Sequence, residues 1–315
     1  MRALAPLAIL LAVACSDPSD TGGASSSGVV RSYETTVTRG SYDLRMHGGM
    51  VMGRVDGFLM DGQFLGPTLV ADLGDTLEVT LVNETDVPVG LHPHGVRYDK
   101  ANEGVTRLAE PGGSVTYSWE ADQGTGTFLY HSHELDEQMR EYQAEAGVLG
   151  VLVVLDPAEE IALGTDHMVN YAMTSTYEPW TTIDEDAMDT GAGGSDTGDT
   201  GGAGDASGHN HTMVVQEVRG DPPVTDTMES LTTTAALHDA VRVNVVAFGE
   251  EFHTFHMHGY TWQDPGAGRT LDTIGLGPAE TYAFHLPDLD NAGLWMVHCH
   301  VDSHLHMMTT YLLVQ

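Results

Sequence analysis

Polar and apolar residues alternate with a period of two along much of the chain. Across residues 75–83, Leu77, Val79 and Leu81 fall on one side and Thr76, Glu78 and Thr80 on the other. Successive side chains of a strand point to opposite faces, so this stretch reads as a half-buried strand. Residues 114–119, with Val115, Tyr117 and Trp119, and residues 241–245, with Val241, Val243 and Val245, repeat the pattern. Gly, Pro and Asp punctuate these runs, as the turns between short strands require. No long amphipathic helix is written into the chain; residues 134–146 are the one candidate for a helical turn or two. The pattern predicts an all-β protein built of sandwiches.

Two segments fall outside that pattern. Residues 1–15 carry Arg2, an apolar run over 4–14 and then Cys15. This reads as an export signal too short to span a membrane. A cysteine directly after small residues predicts a lipid anchor on Cys15, and hence a periplasmic or cell-surface protein; plain cleavage would leave a secreted one. Residues 16–28 read as a flexible tether. Residues 184–211 are rich in Gly, Asp and Thr and predict a disordered insertion, because they bury too little to offset the entropy of ordering. His209 and His211 at its end read as part of a solvated loop, with metal binding as the alternative. The remainder divides into a first domain over 29–160 and a second over 161–315, each of ordinary domain size.

Charge narrows the partners. The chain has 12 basic and 46 acidic side chains, a net −34. That excludes nucleic acid. It also concentrates cations near the surface, which is compatible with a metal-ion substrate or with solubility alone.

The chemistry gathers near the C-terminus. Cys299 is the only cysteine besides Cys15, so no internal disulfide is expected if the signal is removed. It stands between His298 and His300, with His304 and Met308 close behind. A thiolate, an imidazole and a thioether on one short loop suit copper: the soft sulfur and the imidazole serve both oxidation states, and a weak axial thioether tunes the potential. His253 is the candidate for the second imidazole. Zinc also accepts Cys and His, but no second cysteine is at hand and the flanking histidines would be left without a role.

Those flanking histidines belong to a recurring pattern. His92/His94, His131/His133, His256/His258 and His298/His300 are all His-x-His pairs, and each pair shares a strand face. With 17 histidines in the chain, chance supplies about one such pair. In this order, and together with residues 249–259, Gly293-Leu294-Trp295-Met296-Val297, Gly66-Pro67-Thr68-Leu69 and His94-Gly95-Val96-Arg97-Tyr98, the segments resemble the multicopper oxidases. They are similar to both the two-domain small laccases and the ceruloplasmin-type ferroxidases. The resemblance covers roughly residues 55–155 and 237–315.

The resemblance implies two cupredoxin-like Greek-key β-barrel or sandwich domains and four coppers per chain. A type 1 copper would be held by His253, Cys299 and His304, with Met308 axial. A type 2 copper would be held by His92 and His256. A type 3 pair would be held by His94, His131, His133, His258, His298 and His300. A small-molecule or metal-ion reductant, either a phenol or Fe(II) or Cu(I), would give single electrons to the type 1 site, and dioxygen would be reduced to water at the trinuclear cluster. Glu103 and Asp264 are the candidate carboxylates for proton supply. In two-domain relatives the chain closes into a homotrimer. The cluster would then take His92, His94, His131 and His133 from one chain and His256, His258, His298 and His300 from its neighbour.

Some positions depart from the family pattern. Its usual axial position falls on Thr309, while Met308 fits a shorter spacing and Met307 is adjacent. Ser303 stands where ferroxidases of this kind carry an iron-binding Asp, with Asp302 one place earlier. Ser132 stands where a cysteine would give the first domain its own type 1 site. That separates the chain from copper nitrite reductases, which remain a competing reading beside a copper-binding or electron-transfer protein without oxygen chemistry. Met46, Met50, Met52 and Met60, with His47, form either a Cu(I) entry site or strand core.

Overall fold

The structure is a computed structural model and describes residues 28–45, 50–165, 167–177, 181–183, 209–219, 224–227, 232–305 and 307–315. The alternation forms strands where the sequence places them: Thr76–Asn83, Ser114–Glu120 and Val241–Phe248. In the first two, every second residue is buried.

Two β-sandwiches follow one another along the chain. In the first, a sheet of Val51–Met60, Val30–Arg45, Thr76–Asn83 and Ser114–Glu120, in that order, faces a sheet of Leu69–Asp72, Leu149–Leu155, Gly126–His131 and His92–Pro93. In the second, His209–Arg219, His167–Tyr177, Val241–Phe248 and Thr281–Leu286 face Thr232–Ala235, Thr309–Val314, Gly293–Cys299 and His253–Met257. The orders correspond strand for strand. So do the parallel pairs: Val30–Arg45 runs parallel to Thr76–Asn83 as His167–Tyr177 does to Val241–Phe248. Leu69–Asp72 is likewise parallel to Leu149–Leu155, and Thr232–Ala235 to Thr309–Val314. Parallel neighbours cannot be joined by a hairpin, so each pair marks a crossover of the Greek-key type.

Three local features differ from the sequence reading. Residues 209–211 are not disordered: they open the strand His209–Arg219, with His211 opposite Ser175. The rest of the predicted insertion, 184–208, lies outside the described residues. Thr181–Ile183, numbered within the second domain, extends the first domain's sheet by pairing with Val51–Met60. A short helix, Pro157–Leu163, joins the sandwiches, capped by the Asp156 side chain and closed by Gly164 in the left-handed conformation. The expected helical turns near residue 140 are the helix Glu137–Glu145.

The core is two clusters. Trp119, Tyr117, Tyr130 and Phe58 belong to the first; Phe255, Phe284, Tyr171, Cys299 and Met308 belong to the second. Val241–Phe248 is buried along its whole length. Val243 and Val245 face their own core while Val246 and Phe248 join the first domain's cluster. A chain of buried hydrogen bonds crosses between the domains: Thr127 to Asn244 at 2.6 Å, Asn244 to Asn170 at 2.9 Å and Asn170 to Thr68 at 2.6 Å. These mutually satisfied amides and hydroxyls fix one docking of the sandwiches, because sliding would leave each of them buried and unmet.

Candidate metal centres

Each sandwich carries its histidines at the same place. His92–Pro93 and His253–Met257 are equivalent strands and supply the first His-x-His of each domain; Gly126–His131 and Gly293–Cys299 are equivalent and supply the second. Gly95 and Gly259 follow the first pairs, both at positive φ. A Cβ on Gly95 would stand 2.2 Å from the Phe128 ring, and one on Gly259 would stand 2.5 Å from Trp295. Both the backbone conformation and the close ring require glycine there.

In the first domain, the rings of His92, His94, His131 and His133 lie with centroids 5.1–5.9 Å apart. His92 Nδ1 donates to the Glu103 carbonyl at 2.7 Å, and His131 Nδ1 to the Ser132 carbonyl at 2.8 Å. A carbonyl only accepts, so in both rings the proton sits on Nδ1 and Nε2 is left with a free lone pair. His131 Nε2 is 3.1 Å from His94 Nε2. Burial lowers the pKa of His92 and His94, and it pushes His131 down to about 3, with the neighbouring imidazoles adding to the shift.

The second domain repeats this. His256, His258, His298 and His300 have neighbouring centroids 5.1–5.3 Å apart. His256 Nδ1 donates to the Asp272 carbonyl and His298 Nδ1 to the Cys299 carbonyl, both at 2.8 Å. His258 Nε2 is 3.2 Å from His298 Nε2. Burial lowers the pKa of His258 and His298 as well. In each set two rings, His92 and His131 in the first and His256 and His298 in the second, therefore present an oriented Nε2 lone pair, the arrangement that binds metal. His92 and His94 line one surface cleft and His256 and His258 another, while His131 and His133 line a third with Phe248 and Glu250. Among the described residues, no hydrogen bond or ring contact joins one to the other.

The cysteine site lies one residue from the second set. Cys299 is fully buried, as are His253 and Met308, and His304 is nearly so. Cys299 Sγ is 3.6 Å from His304 Nδ1 and accepts the Thr254 N–H at 3.4 Å. His253 and His304 have centroids 5.3 Å apart. Neither nitrogen of His253 has a hydrogen-bond partner among the described residues. Burial pushes its pKa to about 3, and His304 and His211 add to the shift. A buried neutral imidazole with both nitrogens idle is costly unless a metal takes one of them. Met308 shares the core cluster of Cys299, whereas Met307 belongs to the first domain's cluster. The Thr309 hydroxyl is committed to the Leu305 carbonyl at 2.6 Å.

The sequence reading places His211 in a solvated loop, with metal binding as the alternative; the structure places it on a strand. It is buried and stacked on His304, with centroids 3.7 Å apart. Its signal was present, since Met213 and Val215 continue the alternation from it, but the low-complexity run before it masked the strand. Other placements also differ. Asp264 pairs with Arg269 at 3.2 Å and lines a different cavity from His258. The acid beside His256 and His258 is Asp272. Glu103 does lie at the first set, with one buried carboxylate oxygen lacking a partner among the described residues. Met52 and Met60 are first-domain core and Met50 is exposed, while Met46 and His47 lie outside the described residues. Ser132 is buried and donates to Gln143 at 2.5 Å, so the first domain has a hydrogen bond where the second has its thiol.

Residues 48–159 and 205–314 each match the sequence profile of multicopper oxidase domains. The chain belongs to the multicopper oxidase family. It is a small two-domain member with the all-β cupredoxin-type fold, and the family implies copper binding and an oxidoreductase. It is 36% identical over 135 residues to laccase-1 of Melanocarpus albomyces, which covers 39% of this chain and 20% of that protein. It is 37% identical over 91 residues to hephaestin of Rattus norvegicus, covering 22% and 8%. A probable nitrite reductase-hydroxylamine oxidoreductase fusion protein of Kuenenia stuttgartiensis is 27% identical over 254 residues, covering 76% and 26%. The chain thus spans about a quarter or less of these relatives' own lengths. In fold it is similar to the blue copper oxidase of Nitrosomonas europaea, with a TM-score of 0.62 at 22% identity over 90% of this chain and 86% of that one. It is similar also to a copper nitrite reductase of the same organism, with a TM-score of 0.64 at 16% identity over 91% and 94%.

Proposed function

We propose that this multicopper oxidase oxidises a phenolic or metal-ion reductant one electron at a time and reduces dioxygen to water. The observation that carries the reading is the duplicated set of four imidazoles, each with an Nε2···Nε2 approach near 3 Å, beside a buried thiol. Copper held by these residues supplies one-electron redox chemistry at the thiol and the four-electron capacity that dioxygen needs at the cluster. His253, Cys299 and His304 would hold the type 1 ion, with Met308 as the sulfur on the same side of the core. His92 and His256 would hold the type 2 ion, and the six remaining imidazoles of the two sets the type 3 pair.

The chain's own atoms do three things for this chemistry. Backbone carbonyls of Glu103, Ser132, Asp272 and Cys299 hold four ring protons on Nδ1 and so aim Nε2 outward. The Thr254 N–H donates to Cys299 Sγ and holds the sulfur in position. His298 and His300 link the thiol to the histidine cluster through covalent bonds, because both adjoin Cys299 in sequence. Glu103 and Asp272 are the acids placed to carry protons to the two sets, Asp272 in the role the sequence reading gave Asp264.

The separation of the two sets within one chain supports a cluster completed by a second copy. A head-to-tail ring of three chains would join the first domain of one copy to the second domain of the next and close on itself. Export, with a lipid on Cys15, completes the proposal. Mass measurement with copper counting tests the assembly: a trimer with four coppers per chain supports it, and an active monomer with four coppers contradicts it. Oxygen uptake against Fe(II), Cu(I) and a methoxyphenol tests the chemistry and ranks the reductants; reduction of nitrite without oxygen uptake would favour the nitrite reductase reading instead.

A further inference from the structure

A cavity of about 900 Å³ lies where the two sandwiches meet, and none of the metal-site histidines lines it. The first domain contributes residues 125–128, and the helix between the domains contributes Leu163. The second domain contributes from the strands Trp262–Gln263 and Thr281–Leu286. That volume, at a junction of domains, is characteristic of a small-molecule site. The Thr281 hydroxyl donates across the junction to the Thr127 carbonyl. The cavity is thus bounded by contacts that dock one sandwich on the other.

The lining combines rings with one buried cation. Phe128, Trp262 and Tyr282 supply the rings. Trp262 is stacked on Phe284 at 4.1 Å and donates from Nε1 to Tyr282 Oη at 3.3 Å, so its place is fixed. Arg242 supplies the charge, and its side chain is only 8% exposed. Its Nε donates to Asn244 at 3.0 Å and its Nη1 to Glu160 at 2.6 Å. Both N–H groups of Nη2 have no partner among the described residues. A guanidinium has five donors and keeps its proton, so two idle donors beside apolar walls are costly unless something in the cavity accepts from them. The chain has 46 acidic side chains, yet among the described residues only Glu160 reaches this guanidinium. Glu160 Oε2 is occupied by Thr165 at 2.8 Å and His285 at 3.3 Å. The other acids of the lining do not compete, since Asp264 is paired with Arg269 and Glu159 is exposed.

We propose that this cavity binds an aryl carboxylate, with its carboxylate on Arg242 Nη2 and its ring among Phe128, Trp262 and Tyr282. A carboxylate is the planar, charged acceptor that a guanidinium recognises best. The aromatic walls contribute burial of the ligand ring and edge or face contacts with it. The site is built from both domains, so an occupant also stabilises their docking. The inference goes beyond the copper chemistry and does not depend on it.

The test is calorimetric titration of the full-length copper-loaded protein with cinnamate, and with cinnamamide as the uncharged counterpart of similar shape. The expected result is one saturable cinnamate site per chain, at least about tenfold tighter than for cinnamamide, because a charged acceptor on a guanidinium outweighs a neutral one. Copper-free protein should bind cinnamate equally well, which separates this site from an acid held at the metal centres. Arg242→Gln should lose the preference for the acid. That variant strands Glu160 and risks misfolding, so Ala283→Leu is the second variant. Ala283 lines the cavity between Thr281 and His285 on one strand face, and its replacement leaves Arg242 and Glu160 in place. Filling the cavity there should weaken cinnamate at least about tenfold. No saturable binding, equal binding of acid and amide, binding that requires copper, or an affinity unchanged in Ala283→Leu would overturn the proposal.

Discussion

His258 Nε2 stands 3.2 Å from His298 Nε2, although 40 residues separate them in sequence. The His298 nitrogen carries a lone pair, because its Nδ1 proton is held by the Cys299 carbonyl. The same residue therefore faces the cluster with its ring and the thiol with its backbone. His94 and His131 repeat the approach at 3.1 Å in the first domain. The duplicated fold has duplicated a four-histidine set, while the thiol occurs in only one copy.

Replacement of the thiol is the simplest prediction. Cys299→Ser should abolish the intense red absorption of the copper-loaded protein and lower its copper content by one ion per chain, because a hydroxyl is no substitute for a soft thiolate. Absorption spectra with copper analysis check this; a variant that stays blue places the blue copper elsewhere.

The two adjacent methionines should behave differently. Met308→Leu should raise the potential and leave the colour, since it removes a weak donor from beside Cys299. Met307→Leu should leave the potential unchanged, because Met307 packs in the other domain's core. Either swap should cost under about 1.5 kcal/mol in stability, both being near volume-conserving. Redox titration and denaturant melts of the two variants separate the effects.

Deletion of residues 185–207 should leave folding and copper content intact, because a run so rich in Gly, Asp, Thr and Ser has little apolar surface to bury. Deletion of 184–211 should not, since residues 209–211 pair with Tyr177, Thr176 and Ser175 and carry His211 to the thiol site. Copper content measured on both deletions decides it. Equal loss in the two would mean that the segment has a role of its own.

Acid should destabilise the copper-free protein. The folded pKa of His253 is about 3, against an ordinary value of 6.5. Below 6.5 the unfolded chain takes a proton that the folded one refuses. Stability therefore falls as pH drops from 6.5 toward 3, by up to about 1.4 kcal/mol per pH unit for one such group. His131, also near 3, adds in the same direction. Bound copper competes with these protons and should move the loss to lower pH. Urea melts of copper-free and copper-loaded protein between about pH 7 and about pH 4 check the window.

Much of the fold was legible because strand alternation is local. Thr76–Asn83 and Ser114–Glu120 lie where their patterns place them. Val241–Phe248 shows the limit. Its alternation reads as half-buried, yet Arg242 and Asn244 are buried too, held by Glu160 and Thr127, each more than 80 residues away. No local pattern announces partners that distant. The helix Pro157–Leu163 carries its own local signals, Asp156 and Pro157 at its start and Gly164 at its end. The histidine pairs were readable because chemistry repeats them. Asp272 was not, because it reaches His256 through a backbone carbonyl, which any residue type supplies.

The most direct test of the account is the ratio of reductant oxidised to dioxygen consumed by the copper-loaded protein. The account predicts four electrons per dioxygen with no peroxide accumulating. Two electrons per dioxygen with peroxide released, or no oxygen uptake with any of the reductants, would contradict it.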